Sequence, residues 1–367
     1  MFSKKLVCYF MILLLLIGQV PKVDATATSL PKIYGKFATV MDAKTGEVIY
    51  SKQARARWYP ASMTKIVTAM LLVDSIEKGA VLTASKQAVK QDVSNSIFLL
   101  KVGEKMSRED ALKALLVMSS NDVATMIAEH IAGSEAKFSV LMNKKAKELG
   151  ARDTNFITAS GLHHPKHYTT TYDMALLTRE ALRNYPEIIR TMGTKVATVH
   201  TSQRTVKLTN RAQYFTKPNV ICGKTGYTDA ARNSLVEIVK KNDVTLIGVV
   251  MKSSKQEQYK DLSAMTHYSF SSLKNLIAVK QGQVITEIKL NGTTVPLVAK
   301  TAISYKTKID SKLPFRIKET IFSQEVLFTI EKGKQYGKVT VWKNGVEIGS
   351  TPLIAAISTG DVARSSE

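Results

Sequence analysis

Tyr59-Pro60-Ala61-Ser62-Met63-Thr64-Lys65-Ile66-Val67-Thr68-Ala69-Met70-Leu71-Leu72 is the stretch around which the chain is organised. After Pro60 and Ala61 the apolar residues Ile66, Val67, Met70 and Leu71 recur at the spacing of a core-facing helix, which predicts that Ser62 sits in the first turn of a buried helix. Residues three apart on a helix share a face, so the long amine of Lys65 can reach the hydroxyl of Ser62. A base within reach of a hydroxyl makes a nucleophile pair, and the N–H groups at a helix start favour the negative charge that such a pair develops. The Ser-x-x-Lys pattern alone is unspecific: it recurs at Ser29/Lys32, Ser75/Lys78, Ser134/Lys137 and Ser271/Lys274.

The 367 residues, 44% hydrophobic, suffice for one large core and a second, smaller domain. Lys4 and Lys5 precede an apolar run from Leu6 to Val20, and Val23-Asp24-Ala25 follows as a small-residue cleavage pattern. Residues 1–25 therefore read as a secretory signal peptide. The alternative, an uncleaved anchor, has an apolar run short of the ~20 residues a bilayer crossing needs. Cleavage leaves Cys222 without a partner cysteine, so stability must come from packing rather than a disulfide. The formal charge of +22 points to polyanionic surroundings. Export and the lack of an aromatic-basic stacking motif argue against nucleic acid, and an anionic cell wall or membrane surface fits better.

Along the chain, two β-type runs between Lys36 and Tyr50 flank the turn-rich Asp42-Ala43-Lys44-Thr45-Gly46, a hairpin signature. Ser107 and Asp110 form a capping-box pattern before a helix from Ala111 to Met118. That helix breaks at Ser119-Ser120-Asn121, and a second is expected from Asp122 to Ala132. Ser134 caps a third that ends at Leu149 with Gly150 as terminator, and a fourth runs from Asp173 to Asn184, closed by Pro186. The period then changes to two, with strands near Val196 and Val206, at Val220–Thr225, Ser234–Val239 and Val244–Met251, and a last helix from Glu257 to Leu276. This order predicts an α+β fold, an antiparallel sheet with packed helices. Beyond Ala278, alternating runs at Val284–Leu290, Val326–Ile330 and Val339–Trp342, with the turn dipeptides Asn291-Gly292 and Asn344-Gly345, predict a small all-β domain. The expected division is leader 1–25, catalytic domain 26–277, β domain 278–360 and polar tail 361–367.

Two further short motifs join the Ser62 stretch. Ser-x-Asn occurs once, at Ser119-Ser120-Asn121, and Lys-Thr-Gly twice, at Lys44–Gly46 and Lys224–Gly226. The first Lys-Thr-Gly lies in the hairpin turn, where Gly46 has a turn to make; the second follows an apolar strand and can line a sheet edge facing Ser62. The ordered set Ser62-Met63-Thr64-Lys65, Ser119-Ser120-Asn121, Lys224-Thr225-Gly226 resembles the penicillin-recognising serine enzymes. The flanks, including Ser160-Gly161-Leu162 and Lys224-Thr225-Gly226-Tyr227-Thr228-Asp229, and the trailing β domain resemble the low-molecular-mass D-alanyl-D-alanine carboxypeptidases over nearly the whole mature chain.

That resemblance implies a β-lactamase-like, transpeptidase-like catalytic domain and hydrolysis of the terminal D-alanine of peptidoglycan stem peptides, with β-lactams as covalent inhibitors and no metal or cofactor. It further implies Ser62 as nucleophile, Lys65 as base with its pKa lowered by Lys224, Ser119 as proton relay and Asn121 as holder of Lys65 and substrate. Lys224 and Thr225 would receive the substrate carboxylate, Gly226 completes the motif, and the backbone of Tyr227 with that of Ser62 would hold the oxyanion. Two positions depart from the pattern. Arg232 stands where a glycine is usual, and the arginine expected after Met251 is absent, with only Lys252, Lys255 and Lys260 nearby. Arg211 matches a basic position of relatives and is the substitute expected for carboxylate recognition.

Two rival functions follow from the same residues. A β-lactamase would need a deacylating glutamate in a Glu-x-x-Leu-Asn setting, which Glu180-Ala181-Leu182-Arg183-Asn184 does not supply; the other rival is a wall-binding scaffold inactivated by Arg232. His163-His164-Pro165-Lys166-His167 imitates a metal cluster, but no carboxylate accompanies it and Pro165 breaks the spacing. Cys222 reads as a small apolar strand residue rather than a nucleophile. The C-terminal run after Pro352 has a short apolar part before Gly360, so no stable amphipathic membrane anchor is expected there.

Overall fold

The computed structural model describes residues 29–91, 98–210, 212–290, 293–308, 311, 315–322 and 329–359. The leader, the Asn291-Gly292 turn, the run expected from Val326 apart from its last two residues, and the polar tail lie outside these residues. Among the described residues, no helix is long and apolar enough to cross a membrane.

Five antiparallel strands form the main sheet, in the order Val48–Lys52, Phe37–Asp42, Val244–Ser253, Arg232–Lys241, Val220–Thr228. The central strands are covered on both faces, which is why their sequences read as near-continuous apolar runs rather than as alternation. Val236, Ile238, Ile247 and Val249 join a core shared with the helices Lys65–Ser75, Asn121–Ala132 and Thr171–Asn184. Leu235, Leu246 and Val250 face the opposite side, against Leu262 and Met265 of the helix Glu257–Ser271. The edge strand Val220–Thr228 carries the second Lys-Thr-Gly and packs onto the turn that holds Ser62.

Helix ends follow their caps. Ser107 accepts from Asp110 N, Ser134 from Lys137 N and Thr170 from Asp173 N. Four expectations need correction. The segment Ala114–Met118 is a π-helical turn rather than the end of an α-helix. Pro186 does more than close a helix: at a first-turn position it opens another, Pro186–Met192, where its missing N–H is harmless. The strands Val196–His200 and Thr205–Thr209 pair with each other outside the main sheet. The last helix stops at Ser271 instead of Leu276, and Leu273–Val279 becomes a strand paired with Ile303–Lys308. Leu276 packs there against the C-terminal core, so tertiary burial overrides a helical reading of this short apolar run.

The C-terminal unit is a second core around Val295, Leu297, Tyr336, Val339, Val341 and Leu353, built on a five-stranded antiparallel sheet. Asn344 (φ +51°) and Gly345 (φ +72°) make the two-residue turn expected of that dipeptide. This unit is latched to the opening hairpin. Lys343 Nζ donates to Glu47 Oε2 at 2.9 Å and to Thr307 Oγ1 at 2.6 Å, all buried, while Lys44 Nζ donates to Ile348 O and Asn344 Nδ2 to Thr45 O. The first Lys-Thr-Gly thus serves the hairpin and the docking of the β unit, away from Ser62.

Glu237 is buried on the strand Arg232–Lys241, near Tyr214 and Tyr259 on the Leu262 side of the sheet, and burial raises its pKa to about 8. The folded state holds this proton while an unfolded chain releases it near pH 4.5, so folding stability falls as pH rises through this window and levels off above pH 8. Glu237→Gln, which cannot ionise, is expected to flatten the decline in melting temperature between pH 5 and pH 8.5. Parallel slopes for variant and parent would contradict the assignment.

Candidate active site

Ser62 lies in a 3₁₀ turn, Ala61–Thr64, that runs into the α-helix Lys65–Ser75, rather than within the α-helix itself. In a 3₁₀ turn residues three apart eclipse one another, which brings Ser62 and Lys65 closer to alignment than α geometry does. Lys65 Nζ is 2.9 Å from Ser62 Oγ, 2.7 Å from Asn121 Oδ1 and 2.7 Å from Ser160 O. As an ammonium it donates to all three. As a neutral amine it keeps the donations to Asn121 and Ser160 and turns a lone pair to the Ser62 hydroxyl, the arrangement a general base needs.

The second motif arrives through backbone strain. The π turn Ala114–Met118 ends at Ser119 with φ +64°, a conformation that costs a non-glycine residue on the order of 1 kcal/mol, and Asn121 begins the next helix. The third comes from the sheet edge: Lys224 Nζ donates to Ser119 Oγ at 2.9 Å and to Thr225 O at 3.0 Å. Glycine is required at 226, because a Cβ there would stand 2.8 Å from Pro60 O and 3.1 Å from Ser62 N. Gly161 (φ +84°) is equally obligatory, since its Cβ would overlap Ala61 O at 1.9 Å. Ala61 itself takes φ +48°, so the turn that holds Ser62 is strained and clamped from two sides.

Both lysines are removed from water. Lys65 is held well below the ordinary lysine range, first by burial and then by the charge of Lys224, with Asp122 and Glu135 acting in the opposite sense. Burial alone brings Lys224 down to about 7.

Ser62, Lys65, Ser119, Asn121 and Lys224 therefore converge, with Thr225 half-buried beside them and Tyr227 exposed, its hydroxyl donating to Asp229 at 2.7 Å. Arg211 lies outside the described residues. Of the three lysines near the missing arginine, Lys252 sits 3.9 Å over the Trp58 ring, Lys260 pairs with Glu257 and Lys255 is exposed. Arg232 has φ +59°, a left-handed conformation that a glycine would take without steric cost; its side chain is exposed and the hairpin closes through the Thr228–Arg232 pair. Glu180, weighed as a deacylating base, is bound by Asn184 one turn further along its own helix. Cys222 is buried with its pKa pushed up to about 12, an inert thiol.

The sequence reading assigned no role to the Ser160 carbonyl or to the carboxylates of Asp122 and Glu135 behind Lys65. Only Gly161, in the quoted Ser-Gly-Leu, carried a hint of the close approach. Of the three histidines, His163 meets the Tyr59 ring edge-on at 4.7 Å and His167 is buried under Thr64. Among the described residues, no group of histidine, cysteine and carboxylate side chains is placed to hold a metal.

An antiparallel sheet flanked by helices, with a serine and a buried lysine at its edge, defines the class of serine-type, transpeptidase-like enzymes. Comparison with known proteins narrows it. Residues 24–255 match the D-alanyl-D-alanine carboxypeptidase family and residues 274–359 the C-terminal domain of penicillin-binding protein 5. The chain is 32% identical to D-alanyl-D-alanine carboxypeptidase DacF of Bacillus subtilis, over 91% of this chain and 88% of that one. It is 26% identical to DacC of Escherichia coli, over 92% and 84%. In fold it is similar to penicillin binding protein 5 of Haemophilus influenzae (TM-score 0.65, 24% identity, 90% of this chain and 98% of that one). The chain belongs to the family of serine-type D-alanyl-D-alanine carboxypeptidases.

The lysine geometry predicts a sharp dependence on residue 65. Lys65→Arg keeps the charge and removes the base, because a guanidinium does not deprotonate, and acylation by a penicillin is expected to fall by roughly 10²–10⁴-fold. Stopped-flow or gel measurement of the acylation rate checks it, and a rate within threefold of the parent would remove Lys65 from the role.

Proposed function

We propose that Ser62 Oγ attacks the carbonyl carbon between the last two D-alanines of a peptidoglycan stem peptide while its proton passes to neutral Lys65 Nζ. The C–N bond then breaks, Ser119 relays a proton to the departing D-alanine amine, and an ester remains on Ser62 until water releases the shortened peptide. Asn121 orients Lys65 and the substrate amide, Lys224 and Thr225 receive the terminal carboxylate, and the N–H groups of Ser62 and Tyr227 hold the oxyanion. The observation that carries this reading is the 2.9 Å approach of a dry lysine amine to Ser62, with a second buried lysine at Ser119. β-Lactams, which present a strained amide to the same serine, would acylate it.

Under this reading the rate depends on pH in two directions. Acylation rises as Lys65 loses its proton through its depressed pKa, and substrate capture falls as Lys224, with its pKa at about 7, loses the charge that meets the carboxylate. A bell-shaped profile of kcat/KM is the expected result, and Lys224→Arg should move the alkaline limb upward if the variant folds. A labelled penicillin should form one adduct, on the peptide containing Ser62, and D-alanine should be released from a diacyl-D-Ala-D-Ala peptide. Failure of both assays with the parent protein would overturn the proposal.

The division into leader 1–25, catalytic unit, β unit and polar tail is part of the same reading, with the strand Leu273–Val279 supporting a boundary near residue 272 in place of 277. So is the location: export by the leader, then retention at the wall by attraction of a basic chain to anionic polymers. Such attraction between exposed charges weakens as the Debye length falls from ~10 Å at 0.1 M salt to ~3 Å at 1 M. Washing envelopes with rising salt is expected to release the protein; retention until detergent is added would contradict it.

A further inference from the structure

Thr64 is the last residue of the 3₁₀ turn, with helical backbone angles (φ −46°, ψ −37°) where the turn runs on into the helix Lys65–Ser75, and its hydroxyl makes no bond to an N–H of that helix. The hydroxyl is engaged instead by His167, whose Nε2 lies 3.0 Å from Thr64 Oγ1. A buried side-chain link to a partner 103 residues away ties this turn to a distant segment of the fold.

The environment of His167 decides which nitrogen carries the proton. Nδ1 faces two main-chain donors, Ile157 N at 3.1 Å and Thr158 N at 3.2 Å, so it must present a lone pair. The proton is therefore on Nε2, which donates to Thr64. The ring is buried, with Phe156 edge-on at 5.5 Å. Burial, then His164, His163 and Lys65, bring its pKa down to about 3, and the tautomer persists wherever the enzyme works.

What His167 fastens is the loop 157–167 to the nucleophile turn, and that loop touches the turn at each critical point. Gly161 backs the carbonyl of Ala61, whose φ of +48° leaves the turn strained. Ser160 O takes a hydrogen bond from Lys65 Nζ. Thr64 stands between the two reacting residues, so the side-chain link to it is the one that fixes their relative position from below.

We infer that His167 is a positioning residue for acylation, acting through Thr64 to hold the strained turn with Ser62 Oγ in reach of Lys65 Nζ. The inference rests on the reading of Ser62 as nucleophile. A group acting this way alters the chemical step and leaves encounter with the inhibitor unchanged, since a misplacement of about 1 Å can cost as much as 10²-fold in rate.

The test separates the acylation rate constant at saturating penicillin from the preceding Kd in a small set of variants. His167→Asn offers a lone pair near the Nδ1 position for Ile157 and Thr158 but is too short to reach Thr64; His167→Gln carries a donor near the Nε2 position. Thr64→Val keeps the shape and removes the hydroxyl, and Thr64→Ser keeps the hydroxyl. His167→Asn and Thr64→Val are each expected to slow acylation by about tenfold or more with Kd unchanged, and their combination to be no slower than the worse single change, because both remove one link. His167→Gln and Thr64→Ser are expected to recover most of the rate. Normal acylation in Thr64→Val, or losses that multiply in the double variant, would overturn the inference while leaving Ser62 as nucleophile. If the parent protein shows no adduct at Ser62, the nucleophile assignment itself falls, and this one with it.

Discussion

Two lysine side chains buried within one site are the constraint from which the rest of this structure follows. Charged amines in a dry interior repel each other and lose their hydration, and Lys65 and Lys224 respond with lowered pKa values. That cost is offset by fixed acceptors: Ser62, Asn121 and Ser160 for Lys65, and Ser119 and Thr225 for Lys224. The same acceptors are the groups that the proposed mechanism uses. Under that mechanism desolvation makes the base and the hydrogen bonds aim it, so a change at any one acceptor would disturb stability and catalysis together.

Holding these groups together requires backbone conformations that ordinary elements do not supply. Ala61 and Ser119 both take positive φ, a π turn precedes Ser119, and two glycines allow main chain to meet main chain around Ser62. Each is a local violation, of order 1 kcal/mol for a left-handed residue, that the surrounding core must sustain. The sheet does this on one side through Gly226 and the loop 157–167 on the other through Gly161. The lower layer of helices, with Ile66, Val67 and Met70 fully buried, keeps the turn from relaxing into regular helix. Pre-organisation of this kind spares reorganisation at the moment of reaction.

Among the described residues the C-terminal unit contributes no group to the site, yet it is joined to the rest of the fold by specific contacts. Glu47 and Lys343 form a buried pair whose remaining capacity is taken by Thr307, and the hairpin turn Lys44–Gly46 receives main-chain and side-chain contacts from the same unit. A buried ion pair is weak evidence of stability but strong evidence of a specified relative position, because either charge left alone would be costly. The hairpin that carries Glu47 also supplies two strands of the main sheet, so the β unit is anchored to the scaffold of the site rather than to the site itself.

The sequence by itself determined most of the elements and named the candidate residues that the structure brings together around Ser62. Helical periodicity after Lys65, capping residues at 107 and 134, apolar strand runs from Val220 onward and the Asn344-Gly345 turn are all local signals, written in the order of side chains. The three motifs were legible as an ordered set with their flanks, since Ser-x-x-Lys and Lys-Thr-Gly each recur elsewhere in the chain and are unspecific alone. Tertiary structure decided everything that needs two distant segments to meet. The strand at Leu273–Val279 won over a longer helix because its partner strand lies thirty residues further on. The π turn before Ser119, the carbonyl of Ser160 at Lys65 and the union of His167 with Thr64 are invisible to periodicity, since backbone carbonyls and histidine tautomers leave no trace in composition. So is the depth of burial of Lys65 and Lys224: a lysine in a sequence is a cation by default, and only the packing that strips its water makes it a base.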